Sequence, residues 1–184
     1  MAEENLNPMI YRITITGTES TGKSTLAEKL SIYYKTVFVP DYSRYYIDQL
    51  PHKYGKMDVL EIAHGIIEQE DRMMHNANKI LFSDNDLINI KIWLEYYKWE
   101  VPAWLETEII KRKSNLYLLC DIDLPWIPDE QRSNPNDRTE LFSQFKNELQ
   151  NANADFQIVT GITPQQRLNS AVQQIDDLMN RVNK

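Results

Sequence analysis

Eight consecutive residues, Gly17-Thr18-Glu19-Ser20-Thr21-Gly22-Lys23-Ser24, satisfy the pattern G-x-x-x-x-G-K-[ST]. Glycines at both ends let the backbone turn its N–H groups inward around an anion, at positions a Cβ would obstruct. Gly17, Glu19, Ser20, Thr21, Gly22 and Thr25 are thereby candidates for cradling the phosphates of ATP. Lys23 is placed to bridge the β and γ phosphates as a point charge, and the Ser24 hydroxyl to ligate Mg²⁺. The chain holds 5 glycines in 184 residues, and their positions narrow the class. A GTPase switch needs Asp three residues before Gly, whereas Gly55, Gly65 and Gly161 follow His52, Ile62 and Ile158 at that spacing. No Asn-Lys-x-Asp guanine reader is present either, which leaves a small phosphoryl-transfer kinase as the economical reading.

Such chemistry also needs carboxylates. Asp84 follows the strand-like run Ile80–Ser83 and is the candidate for the metal region or for catalysis. Asp86, just before Leu87, is a candidate for substrate or metal contact, with a helix cap as the structural alternative. Asp41 follows a second strand-like run and is the first candidate to orient an acceptor hydroxyl and take its proton; its alternative too is a helix N-cap. Arg44 can bind phosphate or pair with a nearby acid. Arg132 and Arg138 lie in the polar segment Asp129–Arg138, where arginines on a flap can close over a transferring phosphoryl group. Two aromatic clusters, one around Tyr42, Tyr45 and Tyr46, the other around Trp93, Tyr96, Tyr97 and Trp99, offer faces for a flat or cationic ring. The three histidines show no metal-ligand spacing.

Strands and helices must deliver these groups to one place. Tyr11–Thr16 reads as a strand entering the glycine turn, and Lys23–Tyr34 as a helix whose positive end adds to the anion site. Thr36–Val39, Ile80–Ser83, Leu116–Cys120 and Phe156–Val159 read as further strands. Helical periodicity covers Met57 to about Asn78 with Leu60, Ala63, Ile67, Met74 and Ala77 on one side, then Ile88–Tyr97, Pro102–Lys113, Thr139–Leu149 and the segment from Pro164. In the last helix Leu168, Val172, Ile175, Met179 and Val182 recur in steps of four and three. Strands alternating with helices predict an α/β domain with a mostly parallel sheet. Strand C-terminal ends line the ligand crevice of such a sheet, so Asp41 and Asp84 are expected to face one cleft.

Composition sets the outer limits. The net charge is −7 and the pI about 5.0, which argues against a nucleic-acid partner. The single cysteine, Cys120, excludes an internal disulfide and reads as a small buried hydrophobe. An acidic start, Met1-Ala2-Glu3-Glu4, lacks the character of a signal peptide, and no apolar run reaches membrane-spanning length. The expectation is a cytoplasmic protein of one domain over residues 1–184, with no membrane partner.

Four blocks together resemble the ribosylnicotinamide kinase family, the kinase domain of NadR-type proteins. They are Gly17–Thr25 (GTESTGKST), Asp41-Tyr42-Ser43-Arg44, Asp84-Asn85-Asp86 followed by Lys91–Tyr97 (KIWLEYY), and Leu116–Trp126 (LYLLCDIDLPW). The resemblance implies a three-layer P-loop fold with five parallel strands in the order 2-3-1-4-5 and a lid at about residues 123–138. It implies ATP-dependent phosphorylation of the 5′-hydroxyl of nicotinamide riboside, with ATP and Mg²⁺ as cofactors. Tyr42 then sits by the nicotinamide, Arg132 is the lid arginine, and the loop after Gly161 holds the adenine. Two positions depart from the family pattern: Asn85 stands where Thr is usual, and Glu130 where Gly is usual. Two other readings are kept. One is a kinase acting on another nucleoside or small metabolite. The other is a regulatory ATPase with a partner surface on Leu87–Lys113 near Trp99 and Trp104, which read as exposed.

Overall fold

The computed structural model describes residues 9–129 and 136–182. Tyr11–Thr16, rich in β-branched residues, forms β1, and the chain then alternates through α1 (Lys23–Tyr33), β2 (Phe38–Val39), α2 (Tyr42–Ile47), α3 (Lys56–Met74) and β3 (Ile80–Asp84). It continues with α4 (Leu87–Tyr96), α5 (Ala103–Lys111), β4 (Leu116–Cys120), α6 (Arg138–Asn151), β5 (Phe156–Val159) and α7 (Pro164–Val182). The five strands are parallel in the order β2-β3-β1-β4-β5, as expected. β1 is central, with Ile13 beside Phe82 of β3 and Leu116 of β4.

Helices cover both faces of the sheet, giving the three-layer arrangement. On one face Ile13, Ile15, Phe82 and Leu118 pack against Leu26 and Leu30 of α1 and Ala171 and Ile175 of α7. On the other, Tyr117 and Leu119 of β4 meet Ile88 and Ile92 of α4 and Phe145 and Leu149 of α6. A separate apolar cluster joins α3, α4 and α5 through Val59 and Ile62, Ile90 and Leu94, and Leu105. β3 and β4 are buried along their whole length, which explains their apolar runs. Cys120 is wholly buried, in keeping with its role as a core residue.

Three details differ from expectation. β2 is only Phe38–Val39: Pro40 ends it as expected, while Thr36 lies outside the ladder and its hydroxyl donates to the Ile80 carbonyl at 2.6 Å. α3 buries Val59, Ile62, Ala63 and Ile66, rotated from the stripe of Leu60, Ile67 and Met74, because apolar residues occupy two adjacent stripes and packing against α2 and α4 selects one. Trp99 and Trp104 are not an open surface: Trp99 stacks on Tyr97 at 4.9 Å, Trp104 stacks on His64 at 4.4 Å, and both pack on the α3–α5 cluster. No helix of the described residues is long and apolar enough to cross a membrane.

Candidate functional site

The strand order carries the C-terminal ends of β1, β2 and β3 to one edge of the sheet. β1 opens into the glycine loop, where Gly17 has φ 127° and Gly22 φ 76°. A Cβ on Gly17 would lie 3.0 Å from the Cys120 carbonyl oxygen, so both the backbone conformation and the close approach to β4 require glycine. Gly22 is the N-cap of α1, so the positive end of that helix faces the loop. The Lys23 ammonium donates to the Thr18 carbonyl at 2.8 Å, folding the side chain back over the loop, and Thr21 donates to the same oxygen at 2.8 Å.

Asp84 ends β3 next to this loop. It is only 4% exposed, with the Ser24 hydroxyl and the Lys23 ammonium near enough to favour its charged form. Burial pushes its carboxyl up to about 6 against the pull of Lys23, and the Asp41 charge pushes the same way. Its Oδ1 is buried without a partner. Thr16 Oγ1, Thr18 Oγ1, Asn85 Oδ1, Arg138 Nε and Arg167 Nε share that condition, so nearly all such atoms among the described residues belong to this end of the sheet. Buried polar atoms are paired in the great majority of cases, and a concentration of unpaired ones marks where a ligand supplies the partner. Asp84 Oδ1 beside the Ser24 hydroxyl fits a hard cation that takes oxygen ligands. Among the described residues no cluster of three His, Cys, Asp or Glu could hold a metal alone. A Mg²⁺ bound through one carboxylate, one hydroxyl and substrate phosphates needs none.

Asp41 follows β2 and caps α2: its Oδ1 accepts from Ser43 N at 3.0 Å and from Ser43 Oγ at 2.5 Å. Its Oδ2 accepts from Asn85 Nδ2 at 3.1 Å, so capping leaves the second oxygen turned toward the β3 end. Asp41 and Asp84 are therefore brought to one cleft. Arg44, one turn into α2, pairs with Asp129 at 3.2 Å across that cleft. Asp86 caps α4 by accepting from Ile88 N at 3.0 Å. Burial pushes its carboxyl up to about 7.

Tyr42 lies flat against α3, where a Cβ on Gly65 would come within 1.9 Å of its ring. Gly65 is thus the residue that admits Tyr42, a role not visible in the sequence. Trp93 meets Tyr54 edge to face at 5.0 Å, and the Tyr54 and Tyr97 hydroxyls bond at 2.8 Å. Burial raises the Tyr54 phenol, and its hydrogen bond with the Tyr97 hydroxyl adds to it.

Arg138 opens α6 and donates to the Leu124 carbonyl at 3.0 Å and the Ser20 carbonyl at 3.3 Å, with its guanidinium 6.0 Å from the Trp126 ring centre. The expected lid lies partly here, while Arg132 falls outside the described residues. Two groups escaped sequence reading. Arg167, 2% exposed, donates to the Asp121 carbonyl at 2.9 Å and pairs with Asp123. Asp123 also accepts from Gly161 N at 2.6 Å, so the turn after β5 is tied to the segment after β4. Gly161 has φ 134°, and a Cβ there would strike Gln166 and the Arg167 amide of α7 at 2.7 and 2.9 Å. The one sequence signal for these was Asp-Ile-Asp directly after β4, a carboxylate at a strand end like the others.

Comparison with known proteins agrees with this geometry. A family model described as an AAA domain matches residues 12–167. The trifunctional NAD biosynthesis/regulator protein NadR of Escherichia coli (strain K12) is 28% identical over 160 residues, covering 82% of this chain and 38% of that protein. Its counterpart in Salmonella typhimurium is 27% identical over 135 residues, covering 70% of this chain and 32% of that protein. The chain thus spans well under half the length of these relatives. Among solved structures, a NadR protein in complex with NR superposes with a TM-score of 0.75 at 18% identity, over 92% of this chain and 51% of that one. Thymidylate kinase from Ehrlichia chaffeensis gives 0.62 at 11% identity, over 91% of this chain and 100% of that one. At such identities these likenesses show the fold.

Proposed function

The chain belongs to the AAA domain family, and from that premise we propose that it is an ATP-dependent kinase acting on a nucleoside 5′-hydroxyl, with nicotinamide riboside as the acceptor and nicotinamide mononucleotide as the product. The observation that carries the reading is Asp84: a carboxylate buried at a strand end, with one oxygen unpaired, close enough to Ser24 and Lys23 of the phosphate loop to feel both. The choice of acceptor rests on the kinship with NadR proteins.

We assign the roles as follows. Backbone N–H groups from Gly17 to Thr25 surround the ATP phosphates, and Lys23 swings from the Thr18 carbonyl to the β and γ phosphates. Ser24 and Asp84 would hold Mg²⁺, which would supply charge neutralisation to the ATP phosphates. Asp41 orients the acceptor hydroxyl and takes its proton. Arg138, anchored to the Ser20 carbonyl, stands over the loop on the ATP side, and Arg132 is assigned to the phosphoryl group in flight. Tyr42, Arg44, Asp86 and Trp93 are assigned to the acceptor side, and Gly161 to the adenine.

ADP release with and without nucleoside tests the reading. The kinase reading predicts ADP formation from Mg·ATP that depends on added nicotinamide riboside and is matched mole for mole by a new phosphomonoester. Slow hydrolysis indifferent to every acceptor would instead establish a regulatory ATPase.

A further inference from the structure

Asn85 sits between the two carboxylates of the cleft, and its environment is unusual at every atom. Its backbone is left-handed at φ 71°, a region that Asn enters more readily than most residues but that still selects against ordinary side chains. Its N–H donates to the Ile15 carbonyl at 2.9 Å, so its position is set by β1 two residues before the phosphate loop. Its Nδ2 donates to Asp41 Oδ2 at 3.1 Å. Facing a carboxylate, only the NH₂ end of an amide can point that way, which fixes the orientation of the side chain. The carbonyl end is left buried and unpaired, in a residue only 7% exposed. A side chain chosen for stability alone would not leave a buried acceptor unmatched.

The consequence falls on Asp41. Two donors from Ser43 occupy its Oδ1, so Oδ2 is the oxygen with a lone pair to spare for an acceptor hydroxyl. The direction of that lone pair is set by whatever holds Oδ2 from the other side, and that is Asn85. We propose that Asn85 is the positioning residue for Asp41, linking the orientation of the acceptor carboxylate to the strand that carries the phosphate loop. The inference rests on the kinase reading above, because positioning a proton acceptor has meaning only where an acceptor hydroxyl binds. A tolerance of a fraction of an ångström in such a contact separates productive from unproductive geometry.

Two variants isolate the side chain from the backbone. Asn85→Gly keeps the left-handed conformation and removes the amide. Asn85→Asp keeps the shape and sets a second carboxylate against Asp41. The experiment is a double-mutant cycle in kcat with Asp41→Asn, on protein whose fold is checked by circular dichroism. Asn85→Gly is expected to lower kcat by about 10- to 100-fold, with the KM for ATP within about twofold of wild type, and Asn85→Asp to lower kcat further. In the Asp41→Asn background the glycine substitution should change kcat by less than about twofold, because the group it positions is already gone. Equal losses in both backgrounds, or an unchanged kcat in Asn85→Gly, would overturn the proposal while leaving the kinase reading intact. A wild-type protein that phosphorylates no nucleoside overturns both.

Discussion

Asp84 meets two opposed demands, and the conflict can be measured. Its carboxyl is held at about 6 by burial, against roughly 3.9 in an unfolded chain, so the folded state disfavours the ionised form. The associated stability is fully present below the unfolded value and is lost as pH rises from about 4 to about 6, an effect of order 3 kcal/mol. Asp84→Asn, which cannot ionise, is therefore expected to melt at a higher temperature than wild type above pH 6 in chelator, and at the same temperature below about pH 4. Thermal melts of both proteins across that range check it; parallel pH profiles would show that Asp84 is not held against its preference. The substitution should also remove transfer activity, as expected where a site is built at the expense of stability. Lys23→Ala makes a complementary case: it removes the charge that favours ionised Asp84, so kcat should fall by about 10²-fold or more.

At this scale the sequence was most readable where chemistry and chain order coincide. The phosphate loop is eight contiguous residues, and Asp84 and Asp41 are recognisable because strands end on them. Arg167, Asp123 and Tyr54 were not readable, because their roles arise only when α7, the segment after β4 and the loop before α3 meet.

Among the elements, the α2–α3 contact carries most of the unexpected content. α2 is six residues long with none fully buried, too short to show a helical period, and the sequence offered only Asp41 as its possible cap. Gly65 lies mid-helix in α3, where glycine is normally unfavourable, and the Tyr42 ring occupies the space its side chain would fill. Gly65→Ala is expected to push Tyr42 aside, destabilising the fold by about 1–3 kcal/mol and raising the KM for the acceptor while sparing the KM for ATP. Kinetics with each substrate varied separately will show it, and a rise in the ATP KM alone would place Tyr42 on the wrong side of the cleft. Buried strands such as β3 and β4 were easy to locate from their apolar runs, whereas the buried face of α3 depended on its neighbours and could not be read from spacing.

For the molecule as a whole, the order β2-β3-β1-β4-β5 gathers the phosphate loop, Asp41 and Asp84 at one end of the sheet. An alternation of strands and helices predicts that architecture, and the resemblance to NadR kinase domains adds the strand order. The same fold is shared with thymidylate kinase, so architecture alone does not choose the acceptor. The net charge of −7 is compatible with a cationic nucleoside and selects nothing further. The direct test is to incubate the protein with Mg·ATP and, separately, nicotinamide riboside, uridine, adenosine, thymidine and deoxyadenosine, and to identify the products by mass spectrometry. Nicotinamide riboside should be converted to its 5′-monophosphate faster than any other member of the set. A rate no greater than that of uridine or adenosine would contradict the assignment.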